Sequence, residues 1–315
     1  QFISGEQISR DLHVSRTAIW KHINILKERG YIFESSTRKG YRLIYAPNLL
    51  TPLEIDSALH TETFGRHVVY LSSTTSTNEE AKKIAREGAE EGTIVVAEEQ
   101  TGGRGRLTRS FYCPFAKGIW FTLILRPKFF PMEASKCTLM AAVGVCRGIR
   151  RLGLQDAGIK WPNDILYHGK KLVGILTEMS ASMEKIDYII IGAGINTGMK
   201  KSEFPELFRE SATSFLAEGI DVSRKDLLAA ILAELEKEYE IAQTQGFDKV
   251  LEDWKALSVT LGQDVRVIMG EENYTGKAVD IDKDGCLLVD TGEKVERVIA
   301  GDVSIRPIDA PLPKR

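Results

Sequence analysis

The sequence is poor in the residues that build disulfide frameworks and metal sites. It has four cysteines among 315 residues, Cys113, Cys137, Cys146 and Cys286, and no two of them stand in C-x-x-C spacing. They read as buried or incidental thiols of a reducing compartment, which argues against a disulfide-stapled or zinc-ribbon architecture. The five histidines are scattered and offer no ligand cluster, so no protein-held metal is expected. Long hydrophobic runs are also missing. No stretch approaches the ~20 apolar residues that span a bilayer, and none has the charged head, apolar middle and small-residue cleavage site of a secretory leader. A cytoplasmic protein with no membrane partner is expected. The net charge of −2 excludes a uniformly basic nucleic-acid coat. No internal repeat or low-complexity tract occurs, and the length allows two or three domains.

The near-neutral total hides an asymmetry. Residues 1–45 hold Arg10, Arg16, Lys21, Lys27, Arg29, Arg38, Lys39 and Arg42 against Glu6, Asp11, Glu28 and Glu34. The segment also has shape. "SGEQISRDL" predicts a short helix capped by Ser4, with Ile8 and Leu12 inward. "SRTAIWKHINILKERG" predicts a second helix capped by Ser15, with an apolar stripe of Ala18, Ile19, Ile23 and Leu26, ended by Gly30. Two short helices across a tight turn make a helix-turn-helix. Its second helix would present Ser15, Arg16, Thr17, Trp20, Lys21 and Asn24 to a major groove. "YIFESSTRKGYRLI" alternates like a hairpin whose tip carries Arg38 and Lys39, a wing for backbone contact. A winged helix used for protein contact alone is the other reading of the same pattern. Such a module usually has a helix before this pair, so the natural protein is expected to continue upstream of Gln1.

"APNLLTPLEIDSALHTETFG" reads as a linker with a short helix. Beyond it, strands are expected at "HVVYLSST", "GTIVVAEE", "GIWFTLILRP", "AGIKWPNDILY", "KKLVGILTEMSA" and "KIDYIIIGAGINTG". Helices are expected at "TNEEAKKIAREGA", "EASKCTLMAAVGVCRGIRRLG" and "RKDLLAAILAELEKEYEIAQTQG". Strands so close in sequence favour a mixed or antiparallel sheet. From residue 259 only short strands and turns follow, with "KDG" and "DTG" as hairpin signals; a small SH3-like barrel is expected. The division is therefore 1–46 winged helix, 47–64 linker, 65–258 catalytic region and 259–315 terminal barrel.

The chemistry concentrates in a few stretches. "EEQTGGRGRLTRSF" follows a buried strand and packs Gly102, Gly103, Gly105, Arg104, Arg106 and Arg109 into one loop. It is no P-loop, since no GK[ST] follows, and no dinucleotide fingerprint, since a strand comes after it. It can close over an anion with backbone N–H groups and guanidinium forks, although an exposed basic loop would look similar. "STN" (76–78) lies between a strand and a helix; its hydroxyls could face a pocket or serve as plain N-caps. "KWPND" carries an Asn–Asp pair after a rigid Trp–Pro step, "GKKLVGILTEM" feeds a lysine pair into a buried strand, and "IIIGAGIN" ends a strand in glycines that leave room for a flat ligand.

In this order and spacing, "STN", "QTGGRGR…R", "KWPND", "KKLVGILTE" and "GAGIN" resemble the biotin–protein ligases. With the winged helix, the chain is similar to the bifunctional subclass that is both ligase and biotin-operon repressor. The resemblance implies an α+β multidomain fold: winged helix, a central class II aminoacyl-tRNA synthetase-like domain with a mixed sheet, and an SH3-like barrel. It implies that biotin and ATP give biotinyl-5′-AMP, with Mg²⁺ carried by the nucleotide, and that biotin passes to a lysine of a biotin carboxyl carrier protein. Lys171, Arg104, Arg106 and Arg109 would carry catalysis. Ser76, Thr77, Asn78, Gln100, Gly103, Gly105 and Gly174, with Arg104, Arg106 and Lys171, would hold biotin. Arg106, Arg109, Phe111, Trp161, Asn163, Asp164, Asn196 and Phe215 would hold the adenylate; packing is the other reading of Phe215. Phe111 stands where the family often has tryptophan over biotin. Partners would be the carrier protein, operator DNA and a second copy, with dimerisation favoured by biotinyl-AMP. A lipoate-type ligase, a monofunctional ligase with a vestigial module, and a ligand-sensing repressor without ligase activity are the alternatives.

Overall fold

A computed structural model describes the chain except residues 1, 29–30, 37–38, 46–47, 107–108, 270–271, 301–302 and 308–315, and except the side chains of 28, 272 and 303–307. It divides into two compact units, Gln1–Leu49 and Leu50–Arg315.

The first unit holds α1 (Gly5–Asp11), α2 (Arg16–Glu28), β1 (Ile32–Ser36) and β2 (Gly40–Tyr45). Ser4 caps α1 by accepting the Gln7 N–H at 3.0 Å, and Ser15 Oγ accepts the Ala18 N–H at 3.1 Å. Ile19 and Ile23 are buried, with Ala18 and Leu26 half-buried beside them. The strands pair antiparallel, and Ile3 adds a bridge to Tyr41. One inward expectation fails: Leu12 is 63% exposed. α1 ends at Asp11, and Leu12 is its C-cap residue, beyond the last full helical position. The expected stop at Gly30 lies outside the described residues.

The second unit is built on a seven-stranded sheet in the order β3-β4-β5-β9-β8-β7-β6. The strands are β3 (Val68–Leu71), β4 (Ile94–Ala97), β5 (Gly118–Leu125), β6 (Gly158–Lys160), β7 (Asp164–Tyr167), β8 (Lys170–Ala181) and β9 (Ile186–Asn196). β3 and β4 run parallel and all other neighbours antiparallel, so the sheet is mixed. β4 and β5 are apolar without alternation because both faces are covered. α4 (Thr77–Arg86) packs Ala81 and Ala85 on Val95, Ile124 and Ile190. α5 (Cys137–Arg151), α6 (Arg224–Gln245) and α7 (Asp248–Leu257) join the main core with Ile94, Val96, Leu123 and Ile191. Residues 50–64, in the stretch read as a linker, include α3 (Pro52–Asp56) and sink Leu50, Ile55, Leu59 and Phe64 into that core. "AGIKWPNDILY" forms two strands, not one: Trp161–Pro162, a cis peptide, and Asn163 turn the chain between β6 and β7.

A buried ion pair pins the sheet to α6. Arg224 Nη1 lies 2.7 Å from Glu98 Oε2, both side chains nearly inaccessible. Arg224 also donates to Gly118 O, and Glu98 Oε1 accepts the Leu50 N–H at 2.7 Å. The C-terminal part is an antiparallel five-stranded sheet in the order β13-β12-β11-β10-β14. Its strands are β10 (Asp264–Met269), β11 (Glu272–Ile281), β12 (Leu287–Asp290), β13 (Val295–Val298) and β14 (Val303–Pro307). Gly285 and Gly292, at φ of 79° and 86°, make the two turns that "KDG" and "DTG" announce.

Candidate active site

The polar end of the site is built where α4 starts. Ser76 occupies the N-cap position of α4 but makes no capping bond with its side chain. Instead the Thr77 N–H donates to Gln100 Oε1 at 2.7 Å, and the Thr77 hydroxyl lies 3.1 Å from the same oxygen. Plain capping by these hydroxyls is thus not what the segment does. The Gln100 amide is held at its other end, where Nε2 donates to Cys113 Sγ at 3.2 Å. Burial pushes the Cys113 thiol up to about 12 against that opposing hydrogen bond, so it stays neutral. Asn78 points away from open space. Its amide nitrogen donates to Glu178 Oε2 at 2.8 Å and Leu176 O, and its oxygen accepts from the Thr122 hydroxyl at 2.7 Å.

The cationic end lies on β8 and the arginine loop. Lys171 Nζ sits 2.7 Å from Asp164 Oδ1 and 5.6 Å from the centre of the Phe111 ring. Gly174 and Gly194 face each other across β8 and β9. A Cβ on Gly194 would meet Phe111 at 2.8 Å, and one on Gly174 would lie 3.0 Å from Phe111 and 3.1 Å from Lys171 Nζ. The two glycines therefore make a bare floor under an aromatic ring, with an ammonium beside it. Phe111 is backed edge-on by Trp120 at 6.0 Å. The loop closes on itself: Gly105 N–H donates to Arg109 O at 2.7 Å, and Phe111 N–H to Gly103 O at 2.9 Å. Gly103 is buried with no room for a side chain, since a Cβ would lie 2.5 Å from Phe111 O. Arg106 Nη1 donates to Asn163 Oδ1 at 3.3 Å, while Arg104 and Arg109 are exposed.

Several expected contact residues bond or pack within the protein. Trp161 is 2% exposed and donates its indole N–H to Gly285 O, and Phe215 is fully buried in the main core. Neither ring has surface left for an adenylate; both are packing residues. Asn196 is buried and donates to Thr213 O, tying down the segment that forms a parallel bridge with Lys171. Asn163 anchors Arg106 and donates to Ile175 O. Thr122, Glu178 and Cys113 were not anticipated as site residues. A single threonine inside the apolar strand "GIWFTLIL" was the available signal for the first of them.

In the first unit Arg16, Thr17, Trp20 and Lys21 are exposed on α2, Trp20 by 57%, and Asn24 is half-buried. Ser15 is used as the cap. Lys39 lies at the hairpin turn with Nζ 5.8 Å from the Phe2 ring centre. Arg38 lies outside the described residues.

Residues 70–196 match the biotin/lipoate A/B protein ligase family, 1–42 an HTH domain, and 260–306 the biotin protein ligase C-terminal domain. The bifunctional ligase/repressor BirA of Bacillus spizizenii is 41% identical over 97% of this chain and 94% of its own. That of Escherichia coli K12 is 30% identical over the same shares. Biotin protein ligase from Aquifex aeolicus, in complex with biotin and ATP, superposes with a TM-score of 0.68 at 28% identity, covering 77% of this chain and 99% of its own. A ligase-type mixed sheet, a helix-turn-helix before it and a strand sheet after it thus coincide with sequence identity along nearly the whole length. The chain belongs to the biotin–protein ligases, in the bifunctional branch that joins a ligase to a DNA-binding repressor module.

Proposed function

We propose that the protein condenses biotin with ATP to biotinyl-5′-AMP, passes biotin to a lysine of a biotin carboxyl carrier protein, and represses transcription when loaded with the adenylate. The observation that carries the ligase reading is the Gly174–Gly194 floor beneath Phe111 with Lys171 at its side. In the first step a biotin carboxylate oxygen attacks the α-phosphorus, and the bond to the bridging oxygen of pyrophosphate breaks. Two anions must meet. Arg104, Arg106 and Arg109 with the loop amides offset their repulsion, and Lys171 supplies charge where it grows on the α-phosphate. Asp164 holds Lys171 until then. With that carboxylate engaged, the site suits Mg²⁺ that rides on the triphosphate. Thr77 and Gln100 take the polar ring of biotin, and Phe111 covers it in the place of the more usual tryptophan. Closure of the loop keeps water from the anhydride. In the second step the carrier's amine attacks the acyl carbon and AMP leaves.

The central region would be class II synthetase-like and the C-terminal sheet an SH3-like barrel. For repression, the adenylate orders the loop, two copies pair, and two helix-turn-helix modules meet a two-fold operator. Mass spectrometry after incubation with biotin, Mg²⁺ and ATP tests the ligase reading. A biotinyl-AMP mass is expected, and none when lipoate replaces biotin. Absence of the adenylate at saturating substrates overturns it.

A further inference from the structure

The Thr77 hydroxyl ends a chain of polar side chains that runs back into the protein. Glu178 Oε1 lies 2.7 Å from Lys82 Nζ. Burial works against charge on Lys82, yet its hydrogen bonds to Glu178 and Glu79 hold its pKa above the ordinary lysine value. At 2.7 Å from the Lys82 ammonium, Glu178 is the accepting partner of that ion pair. Its 2.8 Å contact with Asn78 puts the amide NH₂ on that side and turns Oδ1 the other way. An amide oxygen cannot donate, so the 2.7 Å contact from Thr122 uses the one proton that Thr122 has. Thr122 also lies 2.8 Å from the Thr77 hydroxyl, and two hydroxyls that close need a proton between them. Thr77 must provide it. Gln100 Oε1 takes the Thr77 N–H at 2.7 Å; it also lies 3.1 Å from the Thr77 hydroxyl, a longer contact than the 2.8 Å to Thr122, so the hydroxyl proton goes to Thr122. The Thr77 hydroxyl is left with lone pairs and no free proton.

The geometry points to Thr122, Asn78 and Glu178 as positioning residues that make the Thr77 hydroxyl a fixed acceptor, so that the site selects a ligand with an N–H there. This rests on the biotin reading above, because biotin's cyclic urea presents two N–H groups. None of the three need touch the ligand. Thr122 is fully buried, and Gly192 is kept bare for Asn78, since a Cβ there would lie 2.0 Å from Asn78 Oδ1. A ring oxygen in place of the N–H would set lone pair against lone pair.

The test uses the full chain, titration calorimetry with biotin and with its two cyclic carbamate analogues (one ring N–H exchanged for oxygen in each), and KM for ATP. Thr122→Val breaks the chain at nearly constant shape. It is expected to weaken biotin binding about tenfold with KM for ATP unchanged, and Thr122→Ser to restore it. Wild type is expected to reject one carbamate more strongly than Thr122→Val does, because the variant frees the Thr77 proton to donate. Glu178→Gln, at a partly exposed position, lets the Asn78 amide face either way and should shrink the same discrimination. Equal discrimination in wild type and both variants overturns the relay. So does equal loss of biotin and ATP affinity in Thr122→Val and Thr122→Ser. A wild type that binds no biotin overturns the functional proposal itself; biotin binding by wild type beside an unaltered Thr122→Val overturns only the relay.

Discussion

Lys171 is caught between the Asp164 carboxylate and the face of Phe111, which places one mobile positive charge at the edge of an otherwise fixed floor. Lys171→Ala should slow adenylate formation by about 10²–10³-fold, as loss of an electrostatic contact to a charged transition state commonly does. Pyrophosphate release at saturating biotin and ATP measures it; a near-normal rate removes Lys171 from the chemistry. The thiols make the opposite case. Burial raises Cys113 to about 12, and Cys146 to about 11 against nearby arginines. Both are protonated throughout neutral pH, so iodoacetamide at about pH 8 should leave them unlabelled in the folded protein by peptide mapping. The sequence shows these proposed roles unevenly. Lys171, the arginines, Thr77 and Gln100 stand in short strings whose residue types state their chemistry. Thr122 and Glu178 do not, because their meaning comes from which partner's proton is already spent. Trp161 and Phe215 mislead for a related reason: a ring looks the same in sequence whether it faces a ligand or the core.

Strands and helices were legible where their pattern was strong. α5 and α6 are long and rich in helix-forming apolar residues, and the mixed sheet follows from strands crowded along the chain. α7 was missed. It starts after Phe247 with no side-chain cap, so no start signal marks it, and Trp254 fixes it by burial alone. The β6–β7 turn was hidden because apolar residues continue on both sides of "WPN". Between helices α5, α6 and α7, Arg147 bonds Glu238 and Asp253. Burial holds the Glu238 carboxyl above its ordinary 4.5 despite Arg147, and its Oε2 has no hydrogen-bond partner. The folded form then keeps a proton that the unfolded chain has released, so this group's contribution to stability is lost as pH rises above 4.5. Calorimetric melting should show Tm of Glu238→Gln gaining on wild type as pH rises above 4.5. The Glu98–Arg224 pair behaves differently. Glu98→Ala removes the carboxylate partner of a buried guanidinium and should cost about 3–5 kcal/mol in urea unfolding. A loss under about 1 kcal/mol would mean that the remaining hydrogen bonds of Arg224, that to Gly118 O among them, satisfy it.

At the scale of the molecule, ligase and repressor meet in one chain, and the proposed coupling is open to a direct reading. Operator affinity should rise when biotin and ATP are added together, and fall steeply with salt as phosphate contacts release counterions. Lys21→Ala should lower the salt slope by about 1 and weaken binding across sequences, as for a phosphate contact. Footprinting that is indifferent to both ligands rejects the coupling. One contact also bears on how the protein can be shortened. The first amide of the second unit, at Leu50, is the donor that completes Glu98, two residues before Gln100. A ligase trimmed of its DNA-reading head keeps that stitch if it begins at or before residue 50. Begun a few residues later, it leaves a sealed acid short of one hydrogen next to the root of the substrate loop.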